Sequence, residues 1–330
     1  AFPHPALTPP ACSASQPEPT PFPLTAAHAD CSGPPMKPKD LAAYLFLACA
    51  WGLSFLIVLK IVAAFGWVGA VTFRSLIAGV TLVFLARATG RSLTFRAGWW
   101  PFAVVGATTV AGQLIGLSYA TPLIGTAMAA ILVATIPMFA MVIGQLWGLE
   151  RITPERLIGL VIGFAGVVLL VGFPAVPVTA SFVFGCAGTL AACLCAAFGS
   201  NYASHRLKGV GAWEVTSGAF LFGGLMTLPL LFAVPVPAVP RAIDYGYLLI
   251  AAVVMSAMTY VFYFGLVSSI GATRAISVEF AVTAIAVLVG ALFLGEPLSL
   301  VQFFGAAIII LGCAVVLGLL PRRRALHSGN

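Results

Sequence analysis

Two ionisable side chains, Glu279 and Arg74, lie within long apolar stretches of the 330-residue sequence. Counted from Thr273 along a helix, Glu279 lies about 9 Å into a hydrocarbon core about 30 Å thick. A charge at that depth costs roughly a few kcal/mol, and such residues mark proton and ion pathways. We interpret Glu279 as a titrating group for which a proton and a substrate compete. The alternatives are a structural partner of Arg74 or Arg274, or a residue of a cytoplasmic vestibule.

Arg74 allows two interpretations. It lies roughly 7 Å inside the outer end of its apolar stretch, which is shallow enough for the side chain to snorkel to the interface. Alternatively, its guanidinium attracts a substrate carboxylate or balances Glu279. Trp51 is likewise either a stacking wall for a substrate or a packing residue beside Gly52.

Five further polar side chains lie in the middle of apolar stretches and need partners in a dry core. Asn201 and Tyr202 belong to the segment 198–202 of the sixth predicted helix, which resembles residues 51–55 at a shift of 147. Some of these groups will form helix-to-helix hydrogen bonds, and we expect about half to line a cavity instead. The five are Asn201, Tyr202, Gln113, Tyr260 and Tyr263.

Motifs for other chemistry are missing from the sequence. It contains no HExxH, no GxSxG, no phosphate-binding loop and no paired intramembrane aspartates. The pair Cys193 and Cys195 is weak evidence for a metal site, because cysteine within an apolar helix behaves as a small hydrophobe. We therefore predict no enzyme activity, no metal and no cofactor. An intramembrane enzyme and a membrane scaffold or receptor without transport remain the alternatives.

The elements that position these residues must lie in lipid. Hydrophobic residues make up 61% of the chain and charged residues 8%, against about 25% charged residues in a soluble domain. The net charge of +7 does not indicate nucleic acid, because basic residues lie at the ends of apolar stretches. The sequence predicts an all-α membrane protein.

Apolar length and proline together predict ten transmembrane helices of about 20 residues each. Proline removes a backbone donor, so we place helix breaks at Thr121-Pro122, at Pro174 and at Pro177. The predicted spans lie near residues 41–60, 69–87, 99–120, 125–148, 156–173, 181–203, 213–234, 245–268, 274–295 and 301–320.

Loop charge predicts that both termini are cytoplasmic. Cytoplasmic loops collect Lys and Arg, and a cytoplasmic N-terminus puts thirteen of these residues inside, with only Lys60 and Arg241 outside. The thirteen are Lys37, Lys39, Arg87, Arg91, Arg96, Arg151, Arg156, Arg206, Lys208, Arg274, Arg322, Arg323 and Arg324.

An internal repeat links the two halves of the chain. A shift of 146 residues superposes glycines and their neighbours over several helices. A unit of five helices has an odd number of crossings, so its copy must enter the membrane from the opposite side. Inverted repeats are typical of secondary transporters, because two similar halves expose one midplane site to each side in turn. The superposed pairs are Ile124-Gly125 with Ile270-Gly271, Gly144 with Gly290, Glu150 with Glu296, Gly159 with Gly305, Gly166 with Gly312 and Gly172 with Gly318.

These features divide the chain into four parts. Residues 1–40 hold 11 of the 23 prolines and no apolar run, which predicts a disordered tail. We expect that the native chain starts at Met36. Residues 41–173 and 178–320 are the predicted five-helix repeats, and residues 321–330 are a basic cytoplasmic tail.

Several short motifs in this order resemble the EamA family of the drug/metabolite transporter superfamily. The resemblance covers residues 41–320, and its motifs recur in both halves. One difference is that this chain has Thr283 where the family's ninth helix has a proline, with Glu279 four residues earlier. The motifs are Cys49 to Phe55, Phe73 to Ala78, Gly116 to Thr121, Ala129 to Pro137, Leu149 to Thr153 and Leu294 to Ser299.

The resemblance implies a ten-helix carrier with a central cavity between two halves. It implies a secondary transporter, an exporter or exchanger of amino acids, related metabolites or drugs, in a bacterial inner membrane. The expected partners are a small-molecule substrate, the lipid bilayer and protons as coupling ion. The expected assembly is a monomer or a homodimer, with no nucleic acid bound.

Overall fold

The computed structural model describes residues 37–148, 154–172, 177–270, 275–276, 278–295 and 299–316. No strand is present in these residues, so the predicted all-α class is confirmed for the described part of the chain. The tail up to residue 36, Arg274 and the basic tail 321–330 lie outside the described residues.

The described helices follow the predicted apolar stretches closely. Six of them, α1, α2, α3, α5, α6 and α7, are long and apolar enough to cross a membrane. Helices α8 and α9 contain shorter apolar segments. In chain order the helices are α1 (Pro38–Ala88), α2 (Trp99–Ile124), α3 (Thr126–Leu146), α4 (Pro154–Gly172), α5 (Ala180–Arg206), α6 (Ala212–Ala233), α7 (Ala242–Ile270), α8 (Val278–Phe293) and α9 (Leu300–Val316).

Helix α1 is too long for one span and is broken at Gly66. Its 51 residues would extend about 77 Å, against a hydrocarbon core of about 30 Å. Gly66 adopts φ 72° and ψ 164°, a conformation that glycine reaches without a Cβ clash. The break divides α1 into a first arm, residues 38–65, and a second arm, residues 67–88. These arms correspond to the predicted spans 41–60 and 69–87, but a single residue replaces the expected loop.

The predicted break at Thr121-Pro122 is wrong in position. Helix α2 continues through Pro122 to Ile124, and the chain turns at Gly125, where φ is 83°. A proline this near a helix end removes one backbone hydrogen bond without preventing the last turn. That turn is closed by the Gly125 amide, which donates to the Thr121 carbonyl at 2.9 Å.

Corresponding helices of the two halves cross antiparallel at small residues. A Cβ added at Gly312 of α9 would lie 2.4 Å from the Gly163 nitrogen of α4, and one at Gly166 would lie 3.0 Å from the Gly305 carbonyl oxygen. Residue numbers therefore rise along α4 as they fall along α9. The close approach is possible because neither helix carries a side chain there.

The second arm of α1 and helix α6 repeat this arrangement. An added Cβ at Gly79 would lie 2.8 Å from the Leu221 side chain, and one at Gly224 would lie 2.8 Å from the Leu76 side chain. About one turn further along the same pair of helices, Thr72 Oγ1 donates to the hydroxyl of Thr227 at 2.9 Å. This pair also runs antiparallel.

Two π-helical turns recur at equivalent places. One covers Gly106–Gly112 in α2 and the other Val253–Met258 in α7, so their starts are 147 residues apart. A π-turn widens the helix and frees backbone carbonyls to accept other donors. The turn in α7 contributes directly to the polar site described next.

Candidate functional site

A cavity of about 60 Å³ lies between α1, α2, α3, α7 and α8. Five of the eight predicted site residues line it, namely Trp51, Arg74, Gln113, Tyr260 and Glu279. The other lining residues are Ser54, Phe55, Val58, Leu114, Leu117, Ser118, Thr121, Val133 and Val282.

Glu279 lies in the first turn of α8 and is only 7% exposed. Within the described residues, no hydrogen bond or ion pair reaches its carboxylate, although the side chain lines the cavity. The proposed structural pairing with Arg74 is therefore not formed, and Arg274 lies outside the described residues. A buried carboxylate without a partner is costly, so we expect this group to hold a proton or a cationic ligand.

Arg74 is held inside the protein by the π-turn of α7. Its Nε donates to the Ser256 hydroxyl, and one terminal nitrogen donates to the Met255 carbonyl at 3.2 Å. Ser256 in turn donates to the Ala251 carbonyl, five residues earlier, at 2.8 Å. The residue is only 5% exposed, and its guanidinium is bonded to α7 inside the protein instead of snorkelling to the interface.

Aromatic rings form one wall of the cavity. The ring centroids of Trp51 and Tyr260 are 5.4 Å apart, as are those of Trp51 and Tyr263. The Tyr260 hydroxyl donates to Gln113 Oε1 at 3.4 Å. Tyr263 is turned away, and its hydroxyl hydrogen-bonds the Ser200 hydroxyl at 2.8 Å. Tyr263 therefore supports the wall without lining the cavity.

Asn201 and Tyr202 lie outside the cavity, in contacts with a neighbouring helix and within their own helix. Asn201 Nδ2 donates to the carbonyls of Ala140 and Ala197, both at 3.0 Å, which ties α5 to α3. The Tyr202 ring stacks on Phe198 with centroids 6.2 Å apart. Asn201 also borders a second cavity of about 420 Å³ beside the loop between α5 and α6.

Sequence reasoning did not identify the hydroxyls on α2. Ser118 and Thr121 line the cavity, together with Leu114 and Leu117. These four positions have the i, i+3, i+4, i+7 spacing of a single helix face, so helical periodicity measured from Leu114, next to Gln113, could have found them.

The cavity is small in this conformation. Its volume of about 60 Å³ is well below the roughly 300–1,000 Å³ of typical small-molecule sites. The helices must separate before a metabolite can enter. The long apolar helices and the polar, partly charged cavity between them define the class of protein. It is a multi-pass membrane protein with a buried site between its helices.

Family comparison assigns this protein more closely. The model of the EamA-like transporter family matches residues 40–172 and again residues 183–318. The chain belongs to this family, and the resemblance seen in the motifs is confirmed.

Named relatives agree with this assignment. An uncharacterized transporter of Archaeoglobus fulgidus is 25% identical over 198 residues, which are 58% of this chain and 68% of the relative. Protein PecM of Dickeya dadantii is 24% identical over 295 residues, which are 88% of this chain and 96% of PecM. The uncharacterized transporter YoaV of Bacillus subtilis is 25% identical over 201 residues, or 59% and 68% of the two chains. Family and relatives support a membrane transporter and not an enzyme.

A solved crystal structure shares the fold. It matches with a TM-score of 0.63 at 18% sequence identity and covers 86% of this chain and 98% of its own. At this identity the likeness concerns the fold alone.

Proposed function

We propose that this protein is a secondary transporter that exports or exchanges small zwitterionic metabolites, amino acids and related amphipathic compounds, across a bacterial inner membrane. The observation that carries the proposal is the pair of buried, mutually unpaired charges in one cavity, Glu279 and Arg74. Protons are the proposed coupling ion, because Glu279 can bind either a proton or a cationic substrate group.

The cavity chemistry supports this substrate class. A substrate carboxylate would bind the Arg74 guanidinium, and a substrate ammonium would bind the Glu279 carboxylate. Trp51 and Tyr260 offer aromatic faces against which an apolar side chain can pack. The Gln113 amide and the Ser118 hydroxyl add neutral polar contacts. The cavity is therefore complementary to a small amphipathic zwitterion, through the two charges of Arg74 and Glu279 and through this neutral lining.

The proposed architecture has ten spans in two inverted halves, with both termini cytoplasmic. The two arms of α1 together with α2 to α9 supply ten segments. The antiparallel crossing of α4 with α9 supports inversion, because equivalent helices of inverted repeats run in opposite directions. The π-turns 147 residues apart and the double family match support a duplicated unit. The repeat boundaries 41–173 and 178–320 remain predictions.

Transport in this scheme proceeds by alternating access. The two halves rock against each other and open the cavity first to one side and then to the other. Proton binding at Glu279 releases the substrate ammonium, and proton loss allows the next substrate to bind. One carboxylate therefore links the proton gradient to substrate movement.

The test is flux in proteoliposomes that contain the purified protein. Radiolabelled L-phenylalanine, L-threonine, L-lysine and phenethylamine would be measured with and without an imposed proton gradient. We expect gradient-driven accumulation of at least one amino acid, abolished by a protonophore. Flux equal to that of protein-free liposomes for all four compounds, under both conditions, would refute the proposed function.

A further inference from the structure

Helix α3 is broken beside the cavity, where two successive amides bond to carbonyls three residues earlier instead of four. In a regular helix the Ala134 amide would donate to the Ala130 carbonyl, but it donates to the Ile131 carbonyl at 3.2 Å. The Thr135 amide likewise donates to the Leu132 carbonyl at 3.0 Å. Pro137 follows and has no amide hydrogen for the Val133 carbonyl. The break thus has a local cause in the sequence.

Thr283 of α8 reaches across to this break. Its hydroxyl lies 2.9 Å from the Ala130 carbonyl oxygen and 2.7 Å from the Glu279 carbonyl oxygen on its own helix. The residue is 1% exposed, and the hydroxyl has a single hydrogen to share between these two acceptors. The side chain therefore joins the turn that carries Glu279 to the broken helix of the other half.

We propose that Thr283 is the positioning residue for the proton and substrate site, holding Glu279 at the cavity by tying α8 to the break in α3. The two halves are unequal at this point, since Pro137 and Thr283 are equivalent under the 146-residue shift. The proline lies at the break in α3, and the threonine hydroxyl on α8 donates to the Ala130 carbonyl beside that break. This inference rests on the proposed function of Glu279.

The charged and titratable groups near enough to Glu279 to interact with it electrostatically come from three helices. They are Arg74 of α1, Cys193 of α5, and Tyr260 and Tyr263 of α7. Among the described cavity residues, α2 and α3 present no titratable side chain. A small movement of α8 changes the distances from Glu279 to all of these groups at once. Loss of the Thr283 hydroxyl should therefore alter the pH response of Glu279.

The experiment compares wild type with Thr283→Val, which removes the hydroxyl at nearly constant volume, and Thr283→Ser, which keeps it. Dicyclohexylcarbodiimide enters apolar sites and adds across a protonated carboxyl group, so labelling of Glu279, read by peptide mass spectrometry, reports its protonation without any substrate. Glu279→Gln identifies the labelled site. Proton-driven L-phenylalanine uptake is measured in parallel.

We expect Thr283→Val to shift the pH midpoint of Glu279 labelling by at least about half a unit and to slow uptake about tenfold. Thr283→Ser should retain the wild-type midpoint and most of the uptake. An unchanged labelling profile in folded Thr283→Val, or an equal shift in both variants, would overturn the inference. If Thr283→Val does not fold, Thr283→Cys, a weak donor close to serine in size, replaces it and should show the same shift.

The outcomes separate this inference from the proposed function. Proton-driven uptake that survives Glu279→Gln would remove Glu279 from the mechanism. Uptake abolished by Glu279→Gln, together with a wild-type labelling profile in Thr283→Val, would refute only the role of Thr283.

Discussion

The cavity holds a carboxylate and a guanidinium that do not pair with each other. Arg74 is satisfied by the Ser256 hydroxyl and the Met255 carbonyl, whereas the Glu279 carboxylate has no partner within the described residues. A buried charge that has hydrogen-bond partners can remain charged, whereas a buried charge without them must change its protonation or bind a ligand. We therefore propose that Glu279 exchanges the proton and that Arg74 orients the substrate.

Glu279→Gln should abolish proton-driven uptake, because an amide cannot bind and release the coupling proton. Exchange of labelled for unlabelled amino acid, which needs no net proton movement, should continue at a reduced rate. The matched control is Glu214→Gln, also buried, whose carboxylate accepts from the Thr94 amide at 3.2 Å, away from the cavity. Wild-type gradient-driven uptake by Glu279→Gln would exclude Glu279 from coupling.

Arg74→Gln should weaken binding of carboxylate substrates selectively. A charge-assisted hydrogen bond contributes about 1.5–3 kcal/mol, so we expect KM for L-phenylalanine to rise about tenfold or more. KM for phenethylamine, which lacks the carboxylate, should change little. Arg87→Gln, at the exposed end of α1, is the control. Equal KM increases for both compounds would show that Arg74 supports the fold and does not read the carboxylate.

At the scale of elements, glycine sets how closely the two halves approach. Gly312→Ala would place a Cβ 2.4 Å from the Gly163 backbone nitrogen, so α4 and α9 must separate. Overpacking of this kind costs about 1–3 kcal/mol, and we expect a clear fall in the melting temperature in detergent. Gly265→Ala on α7, where nothing lies within 4 Å of the added Cβ, should melt at or above the wild-type temperature. Identical melting of the two variants would contradict the close crossing.

The helices could be predicted from the sequence because lipid penalises every charge and every broken backbone hydrogen bond. Charge-free stretches and prolines locate α2 to α5, and the remaining apolar runs locate α6 and α7, within a few residues of their ends. A loop is expected between residues 60 and 69, but no proline or charge within it indicates that the turn is confined to Gly66. Pro122 was misplaced as a break because a proline in the last turn removes only one hydrogen bond. The π-turn of α7 hydrogen-bonds Arg74, a partner distant in the sequence that local pattern does not reveal.

The site was partly predictable for the same reason. The sequence identifies Glu279, Arg74 and Gln113, because a polar group in an apolar helix is costly unless it has a partner or a function. Asn201 met that criterion too, but backbone carbonyls of two helices satisfy its amide. Thr121 escaped notice because its hydroxyl donates to the Leu117 carbonyl of its own helix, at 2.7 Å, and so needs no distant partner.

At the scale of the whole molecule, we propose two halves of opposite orientation. The pairs α4 with α9 and second arm of α1 with α6 each cross antiparallel near their small residues. In an inverted repeat the symmetry axis lies in the membrane plane, so a single midplane cavity can serve both sides. Under the proposed role of Thr283, the unequal pair Pro137 and Thr283 would give the two halves different mechanical roles around that cavity.

The most direct measurement is the sidedness of two equivalent loops. Ser92 and Ala238 are exposed, follow the second arm of α1 and helix α6 respectively, and are 146 residues apart. Each would be replaced by cysteine in a variant without native cysteines and treated with a membrane-impermeant maleimide in intact cells. Inverted halves with cytoplasmic termini predict that only Ala238→Cys is labelled, and that both react after lysis. Labelling of both cysteines in intact cells would show that the halves have the same orientation and would contradict the account.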